Sequence, residues 1–168
     1  ILFTPAEVHQ AIFSLANQLT EAFSDQKPLV LAVMGGAVVF AGQLLPLLHF
    51  PLEFDYVHVS RYGHRTEGGE LNWFRALTAE QMRGRVVLVL DDILDEGETM
   101  AAIRTQVLAA GARAFYSAVF VNKQIAKSKP LYADFVGLQA PDVFVFGYGM
   151  DVAGWWRNLP AIYVLNRQ

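Results

Sequence analysis

The chain has 168 residues, of which 54% are hydrophobic and 17% are charged, and its net charge at pH 7 is −3. This composition predicts one globular domain over residues 1–168 with a sizeable apolar core, and it gives no overall attraction to nucleic-acid phosphates or anionic membranes. The absence of cysteine excludes disulfides and thiolate metal sites, and no apolar stretch reaches the ~20 residues of a membrane span. We therefore expect a cytoplasmic protein.

The first third of the chain predicts a helix, a strand and a second helix. Thr4 is a candidate N-cap, with Pro5 in the first turn and Glu7 three residues after the cap. Residues 28–36 then predict a short buried strand that ends in a glycine pair, and residues 37–48 predict the helix that returns from it. This order is typical of an α/β unit.

The middle of the chain predicts a hairpin followed by another strand and helix. Two strand-like segments, 52–62 and 71–77, flank a polar, glycine-rich stretch. "RVVLVLDD" is a continuous apolar strand, and residues 99–110 predict a helix that Gly111 ends. With the strands predicted after Gly111, the chain indicates an α/β fold: an open, mostly parallel twisted sheet flanked by helices.

The segment after the apolar strand is unusually acidic, because Asp91, Asp92, Asp95, Glu96 and Glu98 fall within eight positions. In open α/β sheets, ligands bind beyond the carboxyl ends of the strands, where helix N-termini attract anions. The dipole of the following helix explains Glu96 and Glu98 without any ligand. It does not explain Asp91 and Asp92, which follow the strand and suit ribose hydroxyls or a metal-bound sugar phosphate.

These residues carry a resemblance to a known family. "VVLVLDDILDEGETM" resembles the phosphoribosyl-diphosphate (PRPP) binding signature of the type I phosphoribosyltransferases. "VFVNKQ" and the segment from 133 to 165 resemble parts of the hypoxanthine-guanine phosphoribosyltransferases. The resemblance implies Mg²⁺-dependent purine salvage, a homo-oligomer (dimer or tetramer), and a small hood formed by the N-terminal segment and roughly residues 140–168.

The resemblance also implies how the acidic segment handles the sugar phosphate. Asp91 and Asp92 would hold the ribose hydroxyls, and Asp95 would act as the general base toward the purine's imidazole ring. The loop that would cradle the 5′-phosphate comprises Asp95, Glu96, Gly97, Glu98 and Thr99.

The purine-binding residues follow from the same resemblance. Lys123 would donate a hydrogen bond to the exocyclic oxygen of a 6-oxopurine, which disfavours adenine because an ammonium has no acceptor. Phe144 would stack on the base, and the backbone of Val145 would meet its edge. Without the resemblance, both would be ordinary core residues of a strand. Asp151 would help to position Mg²⁺ together with Asp91 and Asp92.

Two further segments complete the site that the resemblance implies. Met34 and Gly35 would form the pyrophosphate loop, in which an often cis peptide exposes backbone N–H groups, and Arg157 would bind the same pyrophosphate. A mobile lid would exclude water from the reaction, and its residues would be Ser60, Arg61 and Tyr62.

Two alternatives remain open at the level of sequence. Xanthine could be the preferred base, because its oxo group also suits Lys123. Alternatively, the chain could be a non-catalytic PRPP-sensing or RNA-binding regulator of the same fold. Lys123, Phe144, Asp151 and Arg157 count against a regulator, whereas an exposed basic face would favour one.

Overall fold

A computed structural model describes residues 1–61 and 71–166, and within them the chain forms a six-stranded central sheet. Its strands are β1 (Leu29–Met34), β2 (Glu53–Arg61), β3 (Leu71–Arg75), β4 (Val86–Leu94), β5 (Ala114–Gln124) and β6 (Phe135–Pro141). They are arranged in the order β3-β2-β1-β4-β5-β6, and every neighbouring pair is parallel except the antiparallel hairpin β2–β3. The predicted open, mostly parallel sheet is therefore confirmed.

The helices in the described part of the chain are α1 (Pro5–Phe23), α2 (Ala37–Leu44), α3 (Ala79–Met82) and α4 (Glu98–Ala109), and a 3-10 turn over Leu45–Leu47 extends α2. None of them is both long and apolar enough to cross a membrane. The N-cap of α1 is confirmed, because Thr4 and Glu7 exchange side-chain to backbone hydrogen bonds. Gly111 ends α4 at φ +91°, a left-handed conformation that suits glycine.

Apolar side chains fill both faces of the sheet. Leu88 and Leu90 of β4 point to the face that α1 and α2 cover. Val87 and Val89 point to the other face, which Met100, Ile103 and other residues of α4 cover. A strand that is buried on both faces needs an uninterrupted apolar run, which is why residues 86–90 do not alternate.

Strand β4 is longer than predicted. Asp91 and Asp92 were expected directly after the strand, but β4 continues to Leu94. The reason is that the parallel ladder with β5 extends past the apolar run, pairing Asp91 with Val119 and Leu94 with Asn122. Both aspartates therefore sit on regular strand backbone rather than in a loop.

The two ends of the chain meet beside the sheet. The short strands β7 (Val145–Phe146) and β8 (Tyr163–Val164) pair in antiparallel fashion. Phe3 pairs with Ile162, and the backbone N–H of Leu2 donates to the Ile162 carbonyl at 2.8 Å. The N-terminal segment and the last strands thus form one small structure.

Candidate active site

The loop between β4 and α4 encloses a pocket of about 250 Å³. Gly97 precedes α4 with φ +83°, and a side chain there would press on the Leu131 carbonyl and on Lys129. Glycine is therefore required for the loop to approach this neighbouring segment. The pocket is lined by Asp91, Ile93, Leu94, Asp95, Glu96, Gly97, Glu98, Thr99 and Met100, so it brings together all but Asp92 of the predicted sugar-phosphate residues.

Two neighbouring carboxyl groups, the buried Asp91 and the half-buried Asp92, lie near the end of β4. Burial raises the pKa of Asp91 well above its usual range, and the nearby Asp92 charge raises it further. Burial also raises the pKa of Asp92, although hydrogen bonds and the Arg157 charge oppose this shift. Each carboxylate accepts a hydrogen bond from the next backbone N–H, at 2.9 Å for Asp91 and 2.8 Å for Asp92. A donor or a cation placed here would relieve the cost of their charges.

Glycines allow three segments to converge around Asp92. A Cβ atom at Gly36 would overlap the Asp92 carboxylate, and a Cβ atom at Gly149 would overlap the Gly36 carbonyl. The preceding Met34–Gly35 peptide bond is cis, and Gly35 is exposed. The predicted pyrophosphate loop therefore lies between the Asp92 carboxylate and the segment around Gly149.

An ion pair joins two of the predicted functional side chains. The Lys123 Nζ donates to the Asp95 Oδ2 at 3.0 Å, and the Lys123 side chain is only 12% exposed while that of Asp95 is 50% exposed. Asp142 is a more distant partner, with its Oδ1 at 3.9 Å from the same ammonium. Because Lys123 comes from β5 and Asp95 follows β4, the ion pair bridges the ends of two adjacent strands.

A second, larger pocket of about 620 Å³ opens on the other side of Lys123. Its lining residues are Lys123, Asp142, Val143, Phe144, Val164, Leu165 and Asn166. The Phe144 side chain is 43% exposed and so remains available to a ligand, whereas Val145 is buried in β7 and is not part of the lining. A flat, apolar ligand with a hydrogen-bond acceptor suits this pocket.

Arg157 and Asp151 form a compact polar cluster near Asp92. The Arg157 guanidinium donates to the Gly149 carbonyl at 2.6 Å and pairs with the Asp151 Oδ1 at 2.8 Å. The Asp151 Oδ2 accepts a hydrogen bond from the Gly154 N–H at 2.7 Å. Both oxygens of Asp151 are thus engaged, and a metal ion bound there would compete with Arg157.

Two of the three predicted lid residues belong to a described strand. Ser60 and Arg61 end β2, which lies two strands from β4, and Tyr62 lies outside the described residues. Among residues 1–61 and 71–166, no group of three or more histidine or acidic side chains is arranged to hold a metal ion.

Sequence patterns missed three positions at this site. Gly36 and Gly149 permit close approaches between segments that are distant in the chain. Lys129 is buried beside the Lys123–Asp95 pair, although a lysine in the polar stretch "AKSKP" would be expected in solvent. The only local sequence signal for these three positions was the glycine pair directly after β1, which includes Gly36 but neither Gly149 nor Lys129.

The chain belongs to the phosphoribosyl transferase domain family, whose model matches residues 4–153. The family resemblance in the acidic segment is thereby confirmed, and the enzyme class is that of a pentosyl transferase.

The relatives are similar over nearly their full length. The chain is 33% identical to a hypoxanthine-guanine phosphoribosyltransferase of Bacillus subtilis, with 98% of this chain and 92% of the relative covered. It is 32% identical to the hypoxanthine-guanine-xanthine phosphoribosyltransferase of Tritrichomonas foetus, covering 98% and 90%. A solved hypoxanthine-guanine phosphoribosyltransferase of Bacillus anthracis superimposes with a TM-score of 0.91 at 29% identity, covering 98% of this chain and 97% of that one.

Proposed function

We propose that this chain transfers the phosphoribosyl group of PRPP to hypoxanthine or guanine, releasing pyrophosphate and forming the nucleoside monophosphate. One observation carries the proposal. The Lys123–Asp95 ion pair connects two pockets, because Asp95 lines the pocket at the β4–α4 loop and Lys123 lines the pocket that contains Phe144. The names of the relatives support the same substrates.

The sugar phosphate fits the side of the site formed by β4 and α4. Asp91 and Asp92 accept hydrogen bonds from the ribose hydroxyls, which add donors to the single backbone N–H that each carboxylate already accepts from. The 5′-phosphate binds the backbone N–H groups of the loop from Asp95 to Thr99, at the N-terminus of α4.

The reaction replaces one bond to the anomeric carbon by another. The bond from this carbon to the pyrophosphate oxygen breaks as a nitrogen of the purine's imidazole ring forms the new bond. Asp95, which is half exposed at the pocket edge, accepts the proton that the ring loses. The rate enhancement then comes mostly from positioning and charge stabilisation.

The purine fits the second pocket. Lys123 donates to the 6-oxo group, and the exposed ring of Phe144 stacks on the base. The backbone of Val145 is proposed to meet the edge of the purine. Since Lys123 already donates to Asp95 in the free protein, the incoming oxo group enters beside an existing ion pair.

Pyrophosphate is proposed to leave past Met34, Gly35 and Arg157. The donor set suits Mg²⁺, because this ion usually binds one or two carboxylates and completes its shell with water and substrate phosphates. Asp91 and Asp92 would hold it, with Asp151 nearby, and it would neutralise charge on the leaving group. Ser60, Arg61 and Tyr62 are proposed as the lid that excludes water.

We further propose a cytoplasmic homo-oligomer with a hood formed by the N-terminal segment and residues 140–168. Exposed aromatic residues on the edge hairpin support association, because Phe54, Tyr56 and Phe74 are 44%, 38% and 59% exposed. Light scattering after size-exclusion chromatography tests the assembly, and a monomeric mass at micromolar concentration contradicts it.

The deciding experiment is pyrophosphate release from PRPP and Mg²⁺ with hypoxanthine, guanine, xanthine and adenine assayed side by side. Turnover with hypoxanthine and guanine but not adenine supports the proposal. Stronger turnover with xanthine than with hypoxanthine or guanine favours a xanthine-preferring enzyme, and xanthine is one of the three bases in the name of the relative from Tritrichomonas foetus. Tight PRPP binding without turnover of any base indicates a non-catalytic regulator.

A further inference from the structure

Lys129 is a buried lysine whose ammonium donates three hydrogen bonds at the edge of the site. Only 9% of the residue is exposed. Its ammonium donates to the Leu94 carbonyl at 3.0 Å, to the Asn122 side-chain oxygen at 2.9 Å and to the Lys123 carbonyl at 2.7 Å. An ammonium has three donors, so every one of them is used.

The acceptors of the Lys129 ammonium belong to Lys123 itself and to the residues that directly precede Asp95 and Lys123 in the chain. Leu94 is the last residue of β4 and directly precedes Asp95, while Lys123 lies near the end of β5. The backbone from which each side chain projects is therefore tied to one ammonium. Asn122 extends the connection outward, because its amide donates to Gln139 of β6 at 2.7 Å.

The segment that carries Lys129 also packs against the loop from Asp95 to Thr99. A Cβ atom at Gly97 would lie 3.0 Å from the Leu131 carbonyl and 3.4 Å from the Lys129 Cβ. The loop and this segment are thus in direct contact. Burial lowers the pKa of the Lys129 ammonium, and the Asp95 carboxylate opposes this shift while the Lys123 charge adds to it.

We infer that Lys129 is a positioning residue: it clamps the ends of β4 and β5 so that Asp95 and Lys123 keep the separation that the purine requires. The inference rests on the proposed function. Lys129 does not touch the substrate, since its three donors are already engaged. It acts by fixing the backbone that bears the base and the oxo-group donor, where displacements of about 1 Å can cost on the order of 100-fold in rate.

The test compares Lys129→Met, which keeps the stem but removes the donors, with Lys127→Met, which removes an exposed lysine from the same segment. We expect Lys129→Met to lower kcat/KM for the purine on the order of 10-fold or more, with PRPP affinity nearly unchanged. Lys127→Met should behave like the unmodified chain. An equal loss in PRPP affinity, or no loss at all, overturns the inference.

Double variants separate positioning from general destabilisation. If Lys129 acts through the pair, its substitution should have little further effect on purine KM in a Lys123→Ala chain, or on kcat in an Asp95→Asn chain. Fully additive losses contradict the clamp. If Lys129→Met does not fold, Lys129→Gln, which retains an amide donor, takes its place in the same double-variant comparisons.

Hydrogen exchange provides a readout that does not depend on the proposed reaction. In Lys129→Met, but not in Lys127→Met, the backbone amides of residues 94–97 and 122–129 should exchange faster. If the unmodified chain turns over no base, the proposed function fails while this comparison still tests the clamp. Unchanged exchange together with normal turnover overturns the clamp alone.

Discussion

The Lys123 Nζ lies 3.0 Å from the Asp95 Oδ2, so the proposed oxo-group donor and the proposed general base form an ion pair with each other. Asp142 is a second acidic partner of this ammonium within the described residues, and it is more distant, at 3.9 Å. Although the two side chains are paired, their proposed roles differ, and substituting each one alone can distinguish the two roles.

Replacing Asp95 by Asn should abolish most of the turnover and leave PRPP binding largely intact. The substitution removes a proton acceptor but not the backbone N–H groups of the loop, and loss of a general base costs about 100- to 10,000-fold in rate. Steady-state kinetics and PRPP titration calorimetry check this. Asp25→Asn is the control and should change kcat little, since this exposed carboxylate lies outside both pockets. Equal losses of kcat and PRPP affinity would contradict the base assignment.

Replacing Lys123 by Ala should weaken purine binding and spare PRPP. A hydrogen bond from a charged donor contributes about 1.5–3 kcal/mol, so purine KM should rise about 10- to 100-fold. The exposed Lys127 provides the control, because Lys127→Ala removes the same charge outside both pockets. An unchanged purine KM in the Lys123 variant would rule out the oxo-group contact.

Replacing Asp91 by Asn should stabilise the ligand-free protein increasingly as pH rises. Because the pKa of Asp91 is raised in the folded state, the native chain binds more protons than the unfolded chain above about pH 4, and stability from this group is lost as pH increases. The substitution removes the buried charge, so the free energy of unfolding of Asp91→Asn should exceed that of the unmodified chain by a margin that grows toward neutral pH.

Thermal unfolding between about pH 4 and pH 8 measures this effect. Asp25→Asn, at an exposed position before β1, serves as the control and should show no comparable gain. A gain for Asp91→Asn that shrinks with rising pH would reverse the sign of the argument.

Replacing Gly149 by Ala should destabilise the fold and weaken pyrophosphate binding. Gly149 has φ +99°, and its Cβ atom would overlap the Gly36 carbonyl. We expect a loss of about 1–3 kcal/mol in the free energy of unfolding. Gly42→Ala is the control, since a Cβ atom there meets nothing within 4 Å and lies inside α2, where alanine is favoured by about 1 kcal/mol. Chemical denaturation distinguishes the two, and equal effects would contradict the steric argument.

Local patterns in the sequence were sufficient for much of the fold. The cap at Thr4, the stop at Gly111 and the apolar run of β4 each depend on neighbours in the chain, and each is confirmed. Helix α3 was missed although Thr78 and Gln81 form a capping box, because the helix is only four residues long.

The site could be predicted only in part. Asp95 and Lys123 were identified through the family resemblance, and their assigned roles remain predictions. The burial of Lys129 depends on where β4 and β5 end relative to one another, and the neighbouring residues of the chain give no sign of it. A lysine in a polar loop becomes a buried cation only through contacts that the tertiary fold creates.

The close approach of Gly149 to the Gly36 carbonyl fixes the distance between two backbone segments of the candidate active site. Two main chains meet there with no side chain between them, so no change of rotamer can widen or narrow the gap. The distance from the proposed pyrophosphate loop to the segment around Gly149 is therefore set by the backbone. Under the proposed function, substitutions around Phe144 should change the space for the base and leave the positions of the sugar and its phosphates unchanged.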